Sequence, residues 1–405
     1  MASPPIEVRA RKGQPLGMPA ARFLRGYWQK RPLLIRNAFP DFAPPLSPDD
    51  LAGLACMEGA LARIVLRNKS KPPGSSLRRN DGKWKVLTGP FDDAAFAKLP
   101  PSHWTLLVQD VDKWNADTAA LLDHFRFIPN WRVDDVMISY ATDGGGVGAH
   151  VDQYDVFLLQ GSGQRRWSID AGANPPIAFR DDVELKLLRT FQPTHTWTLD
   201  PGDMLYLPPG VPHDGEALDE CTTYSIGMRA PAAGELLFDF AAHVAEALPE
   251  SRRLADPDLR PAAHAGEIDE AALRRARRAL GPAARMLDDD ALADWFGGFI
   301  TRYRVAQVAA PRKRPIDRAA LAARLPHATL ERDPWSRFAW RRRGRDARLY
   351  VAGNAFDAPA TWACELASGA RAFDGTRLAK LPRHARGVAL LALLIDAGCV
   401  TLRRR

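Results

Sequence analysis

Between Trp131 and Arg229 short apolar runs recur, separated by clusters of glycine and proline: Val136 to Tyr140, Val151 to Gln160, Arg166 to Ile169, Thr194 to Leu199, Met204 to Leu207 and Thr222 to Met228. Short strands at regular intervals with Gly/Pro turns between them argue for a β-sandwich or barrel. Upstream, Trp28-Gln29-Lys30-Arg31-Pro32 leading into Leu33-Leu34-Ile35 predicts a helix, a break and a strand. A further strand at Trp104 to Val108 precedes a helix around Thr118 to Phe125. After Pro231 the texture changes to Ala, Leu, Glu and Arg, with apolar residues at helical spacing in Glu235 to Leu248, Ile268 to Leu280 and Asp290 to Arg302. The segment Pro311-Arg312-Lys313-Arg314-Pro315 reads as a linker, because two prolines flank a solvated charge run. Beyond it a helix at Asp317 to Leu325 precedes strand-like runs at Arg337 to Arg342 and Arg348 to Val351. A chain of 405 residues exceeds one ordinary hydrophobic core, and these changes of texture divide it into 1–230, 231–305 and 306–405.

Apolar residues make up 46% of the chain and charged residues 26%, a balance that supports packed cores and argues against global disorder. The first thirty residues contain no apolar stretch of the signal-peptide kind, and the longest apolar run, Val388 to Ile395, falls far short of the roughly 20 residues that span a bilayer. No membrane association is expected. Cys56, Cys221, Cys364 and Cys399 are scattered without CxxC spacing, so reduced thiols in a cytoplasmic protein are the simplest reading. The net charge of +8 is unevenly placed: residues 306–405 hold 20 Lys and Arg against 8 Asp and Glu, a local balance of +12 that leaves −4 for the rest. Such asymmetry marks either an encounter surface for nucleic acid or a ribonucleoprotein, or an ordinary Arg-rich surface. The run Arg341-Arg342-Arg343 carries the same ambiguity, as a contact for RNA or protein or as a solvated hairpin tip.

The chemistry concentrates in two segments. Gly144-Gly145-Gly146-Val147-Gly148-Ala149-His150-Val151-Asp152 ends a glycine-rich loop at a strand whose first two polar side chains are two residues apart, and in an extended strand such residues share a face. Pro201-Gly202-Asp203 opens a turn, Met204 to Leu207 an apolar strand, Pro208-Pro209-Gly210 a bend, and His213 follows. Two imidazoles and one carboxylate are the facial set of non-haem Fe(II) enzymes, which leaves metal positions open for cosubstrate and oxygen. Taken singly, His150-x-Asp152 is a weak signal and His213 reads first as a turn histidine capped by Asp214. The other histidines (His103, His124, His195, His243, His264, His327, His384) lack partners at ligand spacing and read as surface or core residues. Trp167 and Trp197 read as barrel core; Gln153 and Asp155 face either a substrate or solvent.

The glycine loop, His150-x-Asp152 and the run from Pro201 to His213 resemble the cupin and Jumonji-C oxygenases. More narrowly, His150-Val151-Asp152-Gln153-Tyr154-Asp155-Val156-Phe157-Leu158-Leu159-Gln160-Gly161 followed by Arg165-Arg166-Trp167 resembles the bacterial ribosomal oxygenases. The resemblance covers nearly the whole chain and implies a mainly β fold with α: a double-stranded β-helix (jelly roll) over 1–230, a helical dimerisation module over 231–305 and a winged-helix-like domain over 306–405. It implies Fe(II) on His150, Asp152 and His213, with 2-oxoglutarate and O2 as cosubstrates. If Ser162-Gly163 forms a two-residue hairpin turn, Gln160 pairs with Arg165 and Arg165 points inward; a three-residue turn would bring Arg166 in instead. The resemblance favours Arg165 as the anchor of the 2-oxoglutarate carboxylate and suggests Ser139 as a second contact. It implies a homodimer acting on a ribosomal protein, most narrowly on the β-carbon of an arginine in large-subunit protein L-sixteen, with a ribosomal-protein histidine as the relatives' other target. Ala149 departs from the family, where a proline often precedes the first ligand. A cupin enzyme that does not use 2-oxoglutarate and a non-catalytic ribosome- or nucleic-acid-binding protein are the other classes these residues leave open.

Overall fold

The computed structural model describes residues 6–11, 13–68, 78–79, 83–251, 253–257, 259, 268, 270–285, 289–302 and 309–404. It divides into two compact units, Met1–Ala230 and Pro231–Arg405. His264 and the boundary between 305 and 306 fall outside the described residues.

The first unit contains strands β1 (Glu7–Arg9), β2 (Leu33–Arg36), β3 (Ala62–Asn68), β4 (Arg78–Arg79), β5 (Lys83–Thr88), β6 (Trp104–Val108), β7 (Val133–Ala141), β8 (His150–Val151), β9 (Val156–Ser162), β10 (Arg165–Ile169), β11 (Thr190–Phe191), β12 (His195–Leu199), β13 (Met204–Leu207), β14 (Pro212–Ala217) and β15 (Cys221–Met228). Nine of them form a large sheet in the order β1-β2-β13-β9-β15-β7-β6-β3-β5, and four form a smaller one in the order β12-β10-β14-β8. This is a jelly roll. Alternation along the large sheet decides its packing. Ile138, Phe157, Leu159, Tyr206, Tyr224 and Ile226 join Phe23, Tyr27, Leu51 and Ala55 of the helices Ala20–Gly26 and Pro48–Ala55 in the main core. The residues between them, Leu34, Val156, Leu158, Leu205 and Leu207, meet Trp167, Ile169 and Leu199 of the smaller sheet in a second core. Because the large sheet is covered on both faces, β9 and β13 read as unbroken apolar runs rather than as alternating ones.

Two sequence expectations change here. The run from Val151 to Gln160 is not one strand: the chain bends at residues 152–155 and moves from the edge of the smaller sheet into the middle of the larger. Nor do β9 and β10 form a hairpin. β9 pairs with β13 and β15, and β10 with β12 and β14, so the chain crosses between sheets at Ser162–Gln164 and Gln160 is not the partner of Arg165. The strand β14, which carries His213, has no counterpart in the sequence reading.

In the second unit the helices Ala233–Glu246, Glu270–Arg285 and Asp289–Thr301 precede β16 (Ala328–Arg332), β17 (Phe338–Arg343), β18 (Asp346–Val351), β19 (Asn354–Pro359), β20 (Ala372–Asp374) and β21 (Val400–Arg404). Two three-stranded sheets, β20-β16-β21 and β17-β18-β19, enclose a core around Trp362, Leu349 and Leu391. Asp289–Thr301 packs on β17, β18 and β19, and its acids receive the basic run: Asp290 pairs with Arg341 and Arg343, and Asp294 with Arg343 and Arg348. Two of the three consecutive arginines are thus internal partners rather than a free cationic tip. Among the described residues no helix is long and apolar enough to cross a membrane.

Candidate metal and cosubstrate site

Strand register builds the site. His213 of β14 lies opposite His150 of β8 on one side and Ile169 of β10 on the other. Residues directly opposite share a face, so pairing alone sets the two imidazoles side by side, with ring centroids 4.2 Å apart. Asp152 follows His150 by two and presents its carboxylate 3.6 Å from His213 Nε2 and 4.0 Å from His150 Nε2. One donor atom from each of the three residues lies within 4.8 Å of the other two, close enough to share a cation.

The imidazoles are held with Nε2 free. His150 Nδ1 donates to the Gly148 carbonyl at 2.8 Å and His213 Nδ1 to the Val211 carbonyl at 2.9 Å, which leaves the Nε2 lone pairs available to a cation. Gly148 supplies its carbonyl from φ 80°, a left-handed conformation that glycine adopts without penalty. Burial, and then the neighbouring His150, push the His213 pKa down to about 4, so the ring is neutral at physiological pH. Among the described residues no other histidine joins a cluster of three potential ligands.

The same face continues along β10 and β14. Arg165 pairs with Ala217 and Trp167 with Gly215, each two residues from the next, so Arg165, Trp167 and Ile169 point with His213 into the space between the sheets. The indole fits because position 215 has no side chain: a Cβ there would lie 2.7 Å from the Trp167 ring. Trp167 bridges the two halves of the site, 5.9 Å from the His213 ring and 5.6 Å from the Arg165 guanidinium. Arg165 is only 4% exposed. Its Nη1 donates to Ser139 Oγ and Thr223 Oγ1, both at 3.1 Å. Ser139 of β7 and Thr223 of β15 are opposite one another, and Thr223 is opposite Gln160 of β9, so a polar row of the large sheet faces the arginine. Burial pushes the guanidinium pKa down, and Cys221 and Asp214 offset this only in part. Among the described residues Nε has no hydrogen-bond partner, and the nearby Asp214 acts on the group through its charge.

Three family models match the chain: a JmjC domain over residues 120–236, a ROXA-like winged helix over 283–401, and an AraC-like ligand binding domain over 194–328. The ribosomal protein uL16 3-hydroxylase of Escherichia coli (strain K12) is 38% identical over 296 residues, 72% of this chain and 74% of that protein. The chain belongs to the JmjC ribosomal oxygenases. A probable ribosomal oxygenase of Haemophilus influenzae is also 38% identical, over 53% of this chain and 50% of its own length. Among solved structures, a ribosomal oxygenase from Escherichia coli in complex with cobalt and 2-oxoglutarate superposes with a TM-score of 0.77 at 33% identity, covering 95% of this chain and 98% of that one.

In this ribosomal oxygenase the sequence reading missed Thr223, although its place opposite Ser139 follows once β7 and β15 are paired. It also misplaced Asp155. That carboxylate reaches neither substrate nor solvent: it is fully buried and bonded to Tyr206, Gln29 and Arg132.

Proposed function

We propose that this ribosomal oxygenase hydroxylates an arginine β-carbon of ribosomal protein uL16 with Fe(II), 2-oxoglutarate and O2, the metal on His150, Asp152 and His213 and the cosubstrate on Arg165 and Ser139. The observation that carries the reading is the buried Arg165 guanidinium, set on the triad's own face and hydrogen-bonded, among the described residues, to two hydroxyls through Nη1 while Nε is left without a partner. A buried cation compensated only in part is costly, and the distal carboxylate of 2-oxoglutarate would supply further negative charge through parallel charge-assisted hydrogen bonds. The donor set fits a ferrous ion in kind and number. Bound there, iron with 2-oxoglutarate and O2 supplies the oxidation that places a hydroxyl on carbon and releases succinate and carbon dioxide.

The chain's own residues set the conditions for that chemistry. The carbonyls of Gly148 and Val211 keep both imidazoles in the ligating tautomer. Trp167 presents its ring to both His213 and Arg165 and so lines the space between triad and anchor. Tyr154, 41% exposed as a whole residue, stands beside Asp152, Asp135 and Asp134; desolvation of its hydroxyl first and these charges next raise its pKa and keep the phenol protonated. An aromatic ring flanked by carboxylates suits the side chain of arginine, through its apolar stem and its cation. The helices of 231–305 would join two copies, and the work belongs in the cytoplasm, where ribosomes are made.

The test is incubation of purified protein with Fe(II), 2-oxoglutarate and uL16. Intact uL16 should gain the mass of one oxygen atom and succinate should appear in equal amount, with neither in an Asp152→Ala control. Succinate-independent modification would point instead to a cupin enzyme that does not use 2-oxoglutarate.

A further inference from the structure

The bend at residues 152–155 carries a metal-ligand candidate at one end and a fully buried carboxylate at the other. Asp155 accepts from Tyr206 Oη at 2.7 Å, from Gln29 Nε2 at 2.9 Å and from Arg132 Nη2 at 3.3 Å. Its own carbonyl accepts from Met228 N–H at 2.9 Å. At the other end of the bend, the Asp152 carbonyl accepts from Gly210 N–H at 2.8 Å, three residues before His213. Asp155 is thus tied to a loop, two strands and the segment before β7, while Asp152 is tied to the turn that leads into the other ligand strand.

The network also fixes its own partners. Tyr206 Oη accepts from the Gln29 backbone N–H at 2.8 Å while donating to Asp155. Gln29 sits at φ 55°, a left-handed conformation that a non-glycine residue keeps only where surrounding contacts hold it. Here both its backbone N–H and its side-chain amide are committed. Arg132 stacks on Trp28, 5.8 Å from its ring centre, and donates to the Arg229 carbonyl. Each donor toward Asp155 is therefore itself anchored. A buried carboxylate needs such a set of partners to stay charged, yet an apolar residue of similar size would fill the same volume without them.

We propose that Asp155 is a positioning residue: its network with Tyr206, Gln29 and Arg132 fixes the 152–155 bend and thereby aims the Asp152 carboxylate at the point shared with His150 and His213. This rests on the metal site proposed above. A general core role would affect stability alone; a positioning role also affects the affinity of the centre for metal, since groups that orient ligands are worth about ten- to a hundredfold in binding.

The test titrates Co(II) into the metal-free full-length protein, following the visible absorption of the bound ion, for wild type, Asp155→Asn, Tyr206→Phe and Gln29→Met, with thermal unfolding of each measured in parallel. We expect Co(II) affinity to fall about tenfold in Asp155→Asn and Tyr206→Phe, and by less in Gln29→Met, in protein that melts cooperatively. Variants that lose stability but bind Co(II) as wild type does would overturn the proposal. If the first two fail to fold, Gln29→Met decides it, because that side chain lies at the half-exposed edge of the network. Wild type that binds Co(II) but hydroxylates nothing would count against the proposed function while the titration still decides the positioning role.

Discussion

The hydroxyls of Ser139 and Thr223 both engage Nη1 of Arg165, which leaves the rest of the guanidinium fork for a carboxylate. A lysine at the same place would keep the charge and lose the second parallel hydrogen bond. Arg165→Lys should therefore raise the KM for 2-oxoglutarate by roughly ten- to a hundredfold with little change in Co(II) affinity; equal KM values in steady-state assays would remove Arg165 from the cosubstrate site. Asp135 supports a prediction in pH. Burial first, then the neighbouring Asp110, Asp112 and Asp134, raise its pKa to about 7, with Lys113 acting in the opposite sense. The carboxyl is protonated below that value and charged above it. If it receives a substrate arginine, which stays cationic throughout, KM for uL16 should fall as pH rises through about 7 and Asp135→Asn should flatten the profile. A wild-type KM that is level or that rises over the same range would place the substrate elsewhere.

Within elements, what the sequence disclosed depended on how far each feature is local. The pairing of His150 with Asp152 follows from strand periodicity, and β6 and β13 occur where their apolar runs predict. The strand β14 was not legible, because Pro-His-Asp-Gly-Glu-Ala has no strand-like alternation; it is a strand because β10 and β8 flank it. The jump between sheets after β9 was equally hidden, since Ser162-Gly163 is what a hairpin turn would also contain. Asp155 read as facing a substrate or solvent because its three partners come from positions 29, 132 and 206. Gly215 shows how much β14 depends on contact across the sheet. A methyl group there would press on the Trp167 indole, and overpacking of this kind costs about 1–3 kcal/mol. Gly215→Ala should lower stability by that amount in denaturant titration and weaken Co(II) binding through His213, two residues away. A variant as stable as wild type would mean the indole can move aside.

At the scale of the chain, the basic C-terminal balance and the apolar helices raise different questions. Much of the arginine is used internally: Arg383 and Arg386 meet Asp346, Arg403 meets Glu331, and Arg341 and Arg343 meet Asp290. The charge total therefore overstates the free cationic surface, and nucleic-acid binding is a weaker inference from it than the count suggests. The apolar residues point the other way. Phe240 meets Trp295 edge to face inside the second unit, but Leu237 and Phe238 of the same helix are 69% and 79% exposed, and Leu280 of Glu270–Arg285 is 72% exposed. Large apolar side chains left in water on neighbouring helices are what an interface between two copies would cover. Wild type should therefore sediment as a dimer, and Leu237→Glu with Phe238→Glu should shift it to monomer at micromolar concentration. Those positions carry no part of the second unit's core, so melting cooperativity should survive. A wild type that sediments as a monomer would leave these side chains without a partner and remove the homodimer from the proposal, while the chemistry argued for the jelly roll would stand.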